Sequence, residues 1–298
     1  MNNYFFITFL FFMFVQPVYS SDNMKKDIFI VSSGGGLIEY SLTNNKLKRL
    51  DCLLSNKQWN NVYWPIYDKK RGLIYFEAEN EKFGHSRQIF CVSVSNKKKS
   101  VTQVTKGRRP SISLNGHMLA YYLHPNQLWV LDKSNNKKKK VLSNIADYQP
   151  VVWISNQHLL YTDINGYLMR LDVASGKTNC TGHKNIIPGA LSPDGNSVLC
   201  GSYSGHKIFI YTISDNEIRT LIKSKIYSMG SSFVWSSDGK YFLYTKQTLS
   251  NLIKFEESRS LFLYLILPKG KEIKLVEKFS LFGGVSIMKL PVANHGVL

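Results

Sequence analysis

Acidic side chains and cysteines are both scarce in this sequence of 298 residues. Asp and Glu number 20 against 38 Lys and Arg, and there are 4 cysteines. No Cys-x-x-Cys pair occurs, and the 7 histidines are scattered singly. Neither a zinc site nor a thiol redox motif is therefore indicated, and we expect no metal or other cofactor.

Helical periodicity is also missing from the sequence. No segment places apolar residues at i, i+3, i+4 and i+7 across three turns, and Gly or Asn interrupts the chain about every ten residues. This pattern excludes a helical repeat protein and favours short strands separated by turns.

The N-terminal apolar run, Tyr4–Val15, is too short to cross a bilayer, which takes ~20 residues. The run is uncharged and rich in Phe, and Val18 and Ser20 offer small residues ahead of a cleavage point. We predict a secretory signal peptide over residues 1–20, no transmembrane span, and a secreted or periplasmic protein. The alternative, a buried first strand, is disfavoured because Pro17 separates the run from the first predicted strand.

What the sequence does contain is a strand motif that recurs six times. Its copies begin at Leu37, Ile89, Leu128, Leu168, Ile208 and Leu261, so that three steps are 39 or 40 residues long and two are 52 or 53. A nearly fixed period of this length indicates a repeat array. The most regular copy, Ile187–Ile222, contains four short apolar segments joined by three turns, which predicts an antiparallel meander.

The predicted strands are nearly unbroken apolar runs, as in Leu119–Tyr122 and Tyr241–Tyr244. Strands buried on both faces have this composition, and in a ring of radially packed sheets each sheet lies between two others. We therefore predict an all-β, six-bladed β-propeller. Blade one lacks a fourth strand before Asp27, so we expect Gly284–Leu290 to complete it and close the ring, with residues 21–298 as one domain.

The turn Leu191–Gly195, followed by Gly205–Tyr211 and Ile218–Leu221, resembles the repeats of TolB-like six-bladed propellers. Similar repeats occur in the propeller domains of prolyl-oligopeptidase-type peptidases. Those peptidases carry a hydrolase domain with a Gly-x-Ser-x-Gly elbow, and this sequence has no such pattern. The resemblance therefore implies the propeller fold and not a particular activity.

Export would place the cysteines in an oxidising compartment, where disulfides persist. Sequential blades are neighbours, so Cys52 with Cys91 and Cys180 with Cys200 is the most natural of the three possible pairings. The alternative is buried free thiols, because cysteine is a common core residue.

The basic residues are concentrated in runs that we expect in turns on one face of the propeller. Such a face would suit anionic phospholipid or acidic polysaccharide. Nucleic acid is not expected, because stacking aromatic residues are not interleaved with the lysines. The alternative is that the runs are simply solvated turns. The candidate residues for anionic-surface binding are Lys97, Lys98, Lys99, Lys137, Lys138, Lys139 and Lys140.

Two connections between second and third strands are longer than the others, Ala78–Arg87 in blade two and Lys246–Arg259 in blade six. In a closed ring these blades flank blade one, so both insertions would rise on the face opposite the lysines. Loops on a rigid scaffold often carry binding groups. The alternative is that both are surface loops without a function, because insertions there cost little stability.

Residues just ahead of each innermost strand would line the central mouth beside these insertions. Together they give the candidate ligand-binding residues Trp59, Phe83, Arg108, Arg109, Asp147, Tyr148 and Phe255. The arginines suit an anionic group, and no spacing forces two acids together, so we name no catalytic residue. We expect a non-catalytic exported propeller that binds a protein or an anionic envelope component; the alternative is a propeller-type hydrolase or lyase acting on glycans or peptides at the channel mouth.

Overall fold

Every regular element that the computed structural model describes is a β-strand. The structure describes residues 27–33, 36–43, 46–54, 59–80, 86–94, 100–146, 149–224, 229–236, 238–246, 259–265, 271–279 and 286–290. Within these ranges no helix has the length and hydropathy needed to cross a membrane. The predicted signal peptide, residues 1–20, lies outside the described residues.

The strands pair into six four-stranded antiparallel sheets. Sheet 1 contains β1 (Asp27–Ser33), β2 (Gly36–Thr43), β3 (Lys46–Leu54) and β24 (Ser286–Leu290). Sheet 2 contains β4 (Asn60–Asp68), β5 (Leu73–Glu79), β6 (Gln88–Ser93) and β7 (Val101–Lys106), and sheet 3 contains β8 (Arg108–Ile112), β9 (Met118–Leu123), β10 (Gln127–Asp132) and β11 (Lys137–Leu142). Sheet 4 contains β12 (Val152–Trp153), β13 (His158–Thr162), β14 (Tyr167–Asp172) and β15 (Thr178–Lys184). Sheet 5 contains β16 (Ile186–Leu191), β17 (Ser197–Ser202), β18 (Lys207–Thr212) and β19 (Glu217–Lys223), and sheet 6 contains β20 (Met229–Trp235), β21 (Tyr241–Lys246), β22 (Arg259–Leu265) and β23 (Lys271–Phe279).

The second strand of a sheet is buried on both faces, as the apolar runs predict. In β5, Ile74 and Phe76 pack in a cluster with Leu37 of sheet 1. Tyr75, between them, points the other way and packs with Leu119 of sheet 3. Side chains alternate between the two faces of a strand, so one strand supplies two inter-sheet cores. Similar clusters join sheet 3 to 4, sheet 4 to 5 and sheet 5 to 6.

The turn between the first and second strands is built by a short polar motif. In sheet 5, Ser192 Oγ donates to Asp194 Oδ1 (2.5 Å), and Asp194 Oδ1 accepts from the backbone N–H of Asn196 (3.1 Å). Gly195 follows with φ +77°, a conformation that favours glycine. Ser236, Asp238 and Gly239 repeat these features in sheet 6. The motif stabilises turns, as its composition predicts.

The innermost strands lie next to one another in chain order. β4 contacts β8, β8 contacts β12, β12 contacts β16, and β16 contacts β20. β24 pairs antiparallel with β1, with Val31 opposite Ile287, and it also contacts β4 and β20. This is the sheet arrangement of a β-propeller, and the predicted all-β propeller class is confirmed.

Of the two alternatives for the cysteines, the structure shows free thiols at Cys91, Cys180 and Cys200. Cys91 packs against the cluster between sheets 2 and 3, on the side of sheet 2 away from sheet 1, which carries Cys52. Cys200 lies on the second strand of sheet 5 and is fully buried, whereas Cys180 is exposed on the outermost strand of sheet 4. Cys180 and Cys200 are therefore not bridged to each other.

The predicted turn location of Lys137–Lys140 also needs correction. These four residues form most of β11, the outermost strand of sheet 3, and all four are exposed. Charged side chains on an edge strand oppose pairing with another chain, which is a structural reason for lysine there. Lys97–Lys99 lie outside the described residues.

Candidate binding site

Two faces of the propeller differ in the connections they carry. The insertion face carries the connections between second and third strands, including the segment after Glu79, and the lysine face carries those between first and second strands, including Lys69–Gly72. In an antiparallel meander these two sets of turns lie at opposite ends of the strands. A group of charged side chains at the insertion face lies at the boundary of sheets 2 and 3.

Arg109 is held in an unusual backbone conformation at the start of β8. Its φ is +51°, and the register of β8 with β9 shifts between Arg108 and Ser111. Its backbone N–H donates to Glu77 Oε2 at 3.0 Å. Gly107, just before, has φ +138°, and a Cβ there would lie 2.6 Å from Tyr121 Cδ2. Only glycine fits this close approach, so Gly107 fixes the backbone conformation that leads into β8.

Glu77 lies toward the C-terminal end of β5 with its side chain almost fully buried. Besides the Arg109 N–H, its carboxylate accepts a hydrogen bond from Arg87 Nη1 at 3.2 Å. Arg87 Nε also donates to Glu79 Oε1 at 2.9 Å. Burial raises the pKa of Glu77, although the Arg109 N–H and the charge of Arg87 oppose this rise. Both oxygens of Glu77 are thus used as acceptors inside the protein.

Two consecutive aromatic residues of β4 support the two guanidinium groups. Arg87 Cζ lies 4.6 Å from the ring centroid of Tyr63, and Arg109 Cζ lies 4.0 Å from that of Trp64. Trp64 has φ +50°, and the register of β4 with β5 is irregular on both sides of Tyr63. Cation–π contacts stabilise arginine where water is partly excluded. Non-glycine residues with positive φ occur at functional sites more often than elsewhere, and this cluster has two.

The guanidinium of Arg109 carries a positive charge that the cluster does not fully balance. Its Nη1 atom is buried and, among the described residues, has no hydrogen-bond partner. Burial lowers the pKa of Arg109 to about 10, with Glu77 opposing the shift, so the group remains a cation at neutral pH. The cluster holds three arginines, 87, 108 and 109, against the two glutamates 77 and 79.

The structure places the predicted ligand residues in different settings. Arg108 and Arg109 lie in the cluster just described, as the first two residues of β8 and not ahead of it; their role in ligand binding stays a prediction. Trp59 is instead a core residue, with its ring edge-on to Phe76 at 5.8 Å and to Phe90 at 4.8 Å between centroids. Phe83, Asp147, Tyr148 and Phe255 lie outside the described residues.

Sequence reasoning missed Glu77, Tyr63 and Trp64. The signal for Glu77 was a single acid within the apolar segment Leu73–Ala78, since a charge buried in a strand needs a partner. Tyr63 and Trp64 carried no comparable signal, because their role follows from irregular pairing that the sequence does not reveal.

A second charged group crosses the same pair of sheets at the lysine face. Lys133 Nζ donates to Asp68 Oδ2 at 2.5 Å and to the hydroxyl of Tyr75 at 3.4 Å. Arg71 Nη1 donates to the carbonyl of Gly116 at 2.5 Å. These contacts join sheets 2 and 3 and pair the Asp68 carboxylate with both Lys133 and Arg71. Over the described residues, no group of three or more His, Cys, Asp or Glu could hold a metal ion.

No protein-family model matches this sequence, and no curated protein matches it. Solved structures do resemble it. TolB from Acinetobacter baumannii is 15% identical with a TM-score of 0.69, covering 89% of this chain, which spans 66% of that protein. A provisionally assigned TolB from Agrobacterium tumefaciens is 12% identical with a TM-score of 0.58, covering 90% of this chain and 99% of its own. An oligogalacturonate lyase in complex with manganese is 14% identical with a TM-score of 0.51, covering 84% and 72%. At these identities the likeness concerns the fold alone, and the chain has a β-propeller fold similar to that of TolB.

Proposed function

We propose that this chain is an exported, non-catalytic β-propeller that binds a protein partner or an anionic envelope component at its insertion face. The observation that carries the proposal is the arginine cluster of Arg87, Arg108 and Arg109 at that face. Loops and strand ends on a rigid propeller are suited to binding. The similarity to TolB and the predicted signal peptide support an exported, periplasmic location.

We propose that the chain forms a closed ring of six blades, completed by β24. Six four-stranded sheets, the pairing of β24 with β1, and the contacts of β24 with β4 and β20 support it. Deleting residues 286–290 should then remove the inner strand of blade one and abolish cooperative thermal unfolding. A deletion variant that unfolds like the full chain would argue against closure.

Binding is favoured over catalysis by the state of the cluster's carboxylates. A general acid or base must be within reach of substrate with a free oxygen, whereas Glu77 uses both oxygens for protein donors. Glu79 is paired with Arg87. In this arrangement the acids hold Arg87 and the backbone of Arg109 in place, and the Arg109 guanidinium is the group that we propose meets a ligand.

The alternative is a hydrolase or lyase acting on glycans or peptides at the channel mouth. The likeness to the oligogalacturonate lyase favours it, although that likeness concerns the fold alone. If the mouth is catalytic, Asp147→Asn should eliminate turnover of an oligosaccharide or peptide substrate and leave its binding intact. Turnover by the wild type would replace the binding proposal with this one.

The binding proposal is tested by capturing partners on the immobilised chain from residue 21 onwards. A Phe83→Ala/Phe255→Ala double variant, which removes the aromatic residues of the two predicted insertions, should lose the captured partner with little change in Tm. Leu114→Ala is the matched control, because Leu114 is 58% exposed on the lysine face. A partner that survives the double variant but is lost when Lys137–Lys140 become glutamine would show that binding lies at the outer strand β11 and not at the insertion face.

A further inference from the structure

The Arg109 side chain lacks a direct anionic partner, although an acid lies beside it. Glu77 gives its oxygens to the Arg109 backbone N–H and to Arg87 Nη1. The attraction between Glu77 and the Arg109 guanidinium therefore acts without a hydrogen bond, and Nη1 has no partner among the described residues. A buried donor without an acceptor destabilises a protein unless it is satisfied by another group.

The guanidinium is also fixed before any ligand arrives. The Arg109 backbone N–H donates to Glu77, and the planar face of the guanidinium stacks on Trp64, with Cζ 4.0 Å from the ring centroid. Stacking covers a face and leaves the edges, where all N–H bonds point. A carboxylate matches such an edge with two parallel hydrogen bonds. Arg109 as a whole is only partly buried, so part of it faces solvent.

Two exposed apolar residues lie on the same face, in the neighbouring sheets 4 and 5. Ile164 and Tyr203 are 57% and 53% exposed, in the connections between second and third strands. The backbone of Asn185 links these connections, donating to the Gly166 carbonyl at 2.7 Å and accepting from the Tyr203 N–H at 2.9 Å. The insertion face therefore offers exposed apolar side chains as well as a guanidinium, a combination that suits a peptide with both acidic and apolar residues.

We infer that Arg109 anchors a carboxylate of an acidic peptide segment that also contacts Ile164 and Tyr203. The inference rests on the proposed function and names the ligand of that site. Arg108, next in sequence, adds positive potential that attracts the segment. The aromatic faces of Tyr63 and Trp64 are taken by guanidinium groups, which argues against sugar stacking at this point.

Arg109 should contribute little to the stability of the folded protein. Replacing Arg109 by Met removes a partly unsatisfied charge and keeps a long unbranched side chain at the same positive φ. Removing a poorly compensated buried charge is often neutral or stabilising. The Tm of Arg109→Met should therefore equal or exceed that of the wild type, while binding is lost.

The experiment measures fluorescence anisotropy of a labelled, amidated hexapeptide of alternating Glu and Leu. The comparison probes are the same peptide with Gln in place of each Glu, and tetragalacturonate. At physiological ionic strength, where the Debye length is about 8 Å, long-range attraction is screened. The wild type should bind the Glu peptide. Arg109→Met should weaken binding by about 30-fold or more, as loss of a buried charge partner does. Arg109→Lys keeps the charge but lacks the paired N–H donors of a guanidinium, so it should bind with intermediate affinity. Arg219→Gln, an exposed change on β19, is the charge-matched control and should bind like the wild type.

Other outcomes overturn the inference. They are equal affinity in Arg109→Met and the wild type, tighter binding of tetragalacturonate than of the Glu peptide, no binding of the Glu peptide to the wild type, or a fall in Tm for Arg109→Met with affinity unchanged. The last would make Arg109 a structural partner of Glu77. A partner that is captured as proposed and lost with Phe83 and Phe255, but is insensitive to Arg109→Met, would leave the proposed function standing and remove only the peptide-carboxylate site.

Discussion

Lys133 and Asp68 form a buried ion pair across the interface of sheets 2 and 3, with Nζ and Oδ2 2.5 Å apart. The Asp68 side chain is 0% exposed and the Lys133 side chain 7%. Asp68 also accepts from the backbone N–H groups of Lys70 and Arg71 at 3.1 and 3.3 Å. The pair therefore fixes the turn after β4 and the turn after β10 to each other.

Replacing Lys133 by Met should destabilise the protein strongly. The change leaves the Asp68 carboxylate buried with only Arg71 as a charged neighbour, and breaking a buried pair costs about 3–5 kcal/mol. Chemical denaturation measures this loss. Lys137→Met, an exposed change on β11, should alter the free energy of unfolding by no more than about 0.5 kcal/mol. Equal effects of the two changes would contradict the role of the pair.

The same pair predicts how stability depends on pH. Burial alone would raise the pKa of Asp68, but the hydrogen bond and charge of Lys133, together with the hydrogen bonds from Arg71, hold the pKa below its ordinary value. A depressed pKa contributes stability above the unfolded pKa of about 3.9, and this contribution is lost as pH falls through the folded pKa. The stability difference between wild type and Asp68→Asn should be constant near neutral pH and shrink below about pH 4. A difference that stays unchanged into this acid range would refute the assignment.

Gly189 is predicted to tolerate no side chain. A Cβ at this position would lie 2.1 Å from Phe233 Cδ2 and 3.0 Å from the Leu199 carbonyl oxygen. Gly189→Ala should lower the free energy of unfolding by about 1–3 kcal/mol, as overpacking does. Gly201→Ala is the matched control, because its Cβ would meet Phe233 Cζ at an ordinary 3.5 Å. Thermal unfolding should show a lower Tm for the first variant only; a similar Tm for both would mean that the Phe233 ring moves freely.

The free thiols give a chemical test of the corrected cysteine assignment. Cys180 is exposed, whereas burial raises the pKa of Cys200 and removes it from solvent. Reactivity follows the thiolate and its accessibility. Iodoacetamide with peptide mapping should modify Cys180 in the native protein and Cys200 only after unfolding. A disulfide-linked peptide containing Cys180 and Cys200, found under oxidising conditions, would contradict the free thiols of the structure.

The repeat, the turns and the two-faced burial of the strands could be predicted from the sequence because each depends on local composition. Trp153 and Trp235 show where that reasoning ends. The sequence marks them only as apolar residues at equivalent positions of the repeat. In the structure their indole N–H groups donate to carbonyls of the preceding sheet, Ser111 at 3.0 Å and Ala190 at 3.1 Å. Contacts between sheets join residues about one repeat apart, and the sequence does not specify them.

The candidate site was predictable in part for the same reason. The repeat predicts Arg108 and Arg109 just ahead of an innermost strand, and the structure has them as the first two residues of that strand, β8. Trp59 has a similar place, yet it packs into the core, because its neighbours Phe76 and Phe90 are aromatic and leave space for its ring. Whether a residue at the start of an innermost strand lies in the core or at the insertion face depends on local irregularities in strand pairing, which cannot be recognised in the sequence.

The lysine runs provide the last prediction. Lys137–Lys140 are exposed on the edge strand β11, and exposed cations attract an anionic surface through a field that salt screens over about 8 Å at physiological ionic strength. Changing Lys97–Lys99 and Lys137–Lys140 to Gln should abolish sedimentation with vesicles containing anionic lipid, and added salt should weaken wild-type binding in the same assay. Vesicles of neutral lipid are the control for the surface, and Lys177→Gln with Lys207→Gln, two basic residues outside both runs, is the control for the charge change. Each basic group near an anionic bilayer contributes about 1 kcal/mol, so the loss from seven changes should far exceed the loss from two. Retention of the seven-residue variant on anionic vesicles would show that β11 carries lysine only to protect its edge from pairing.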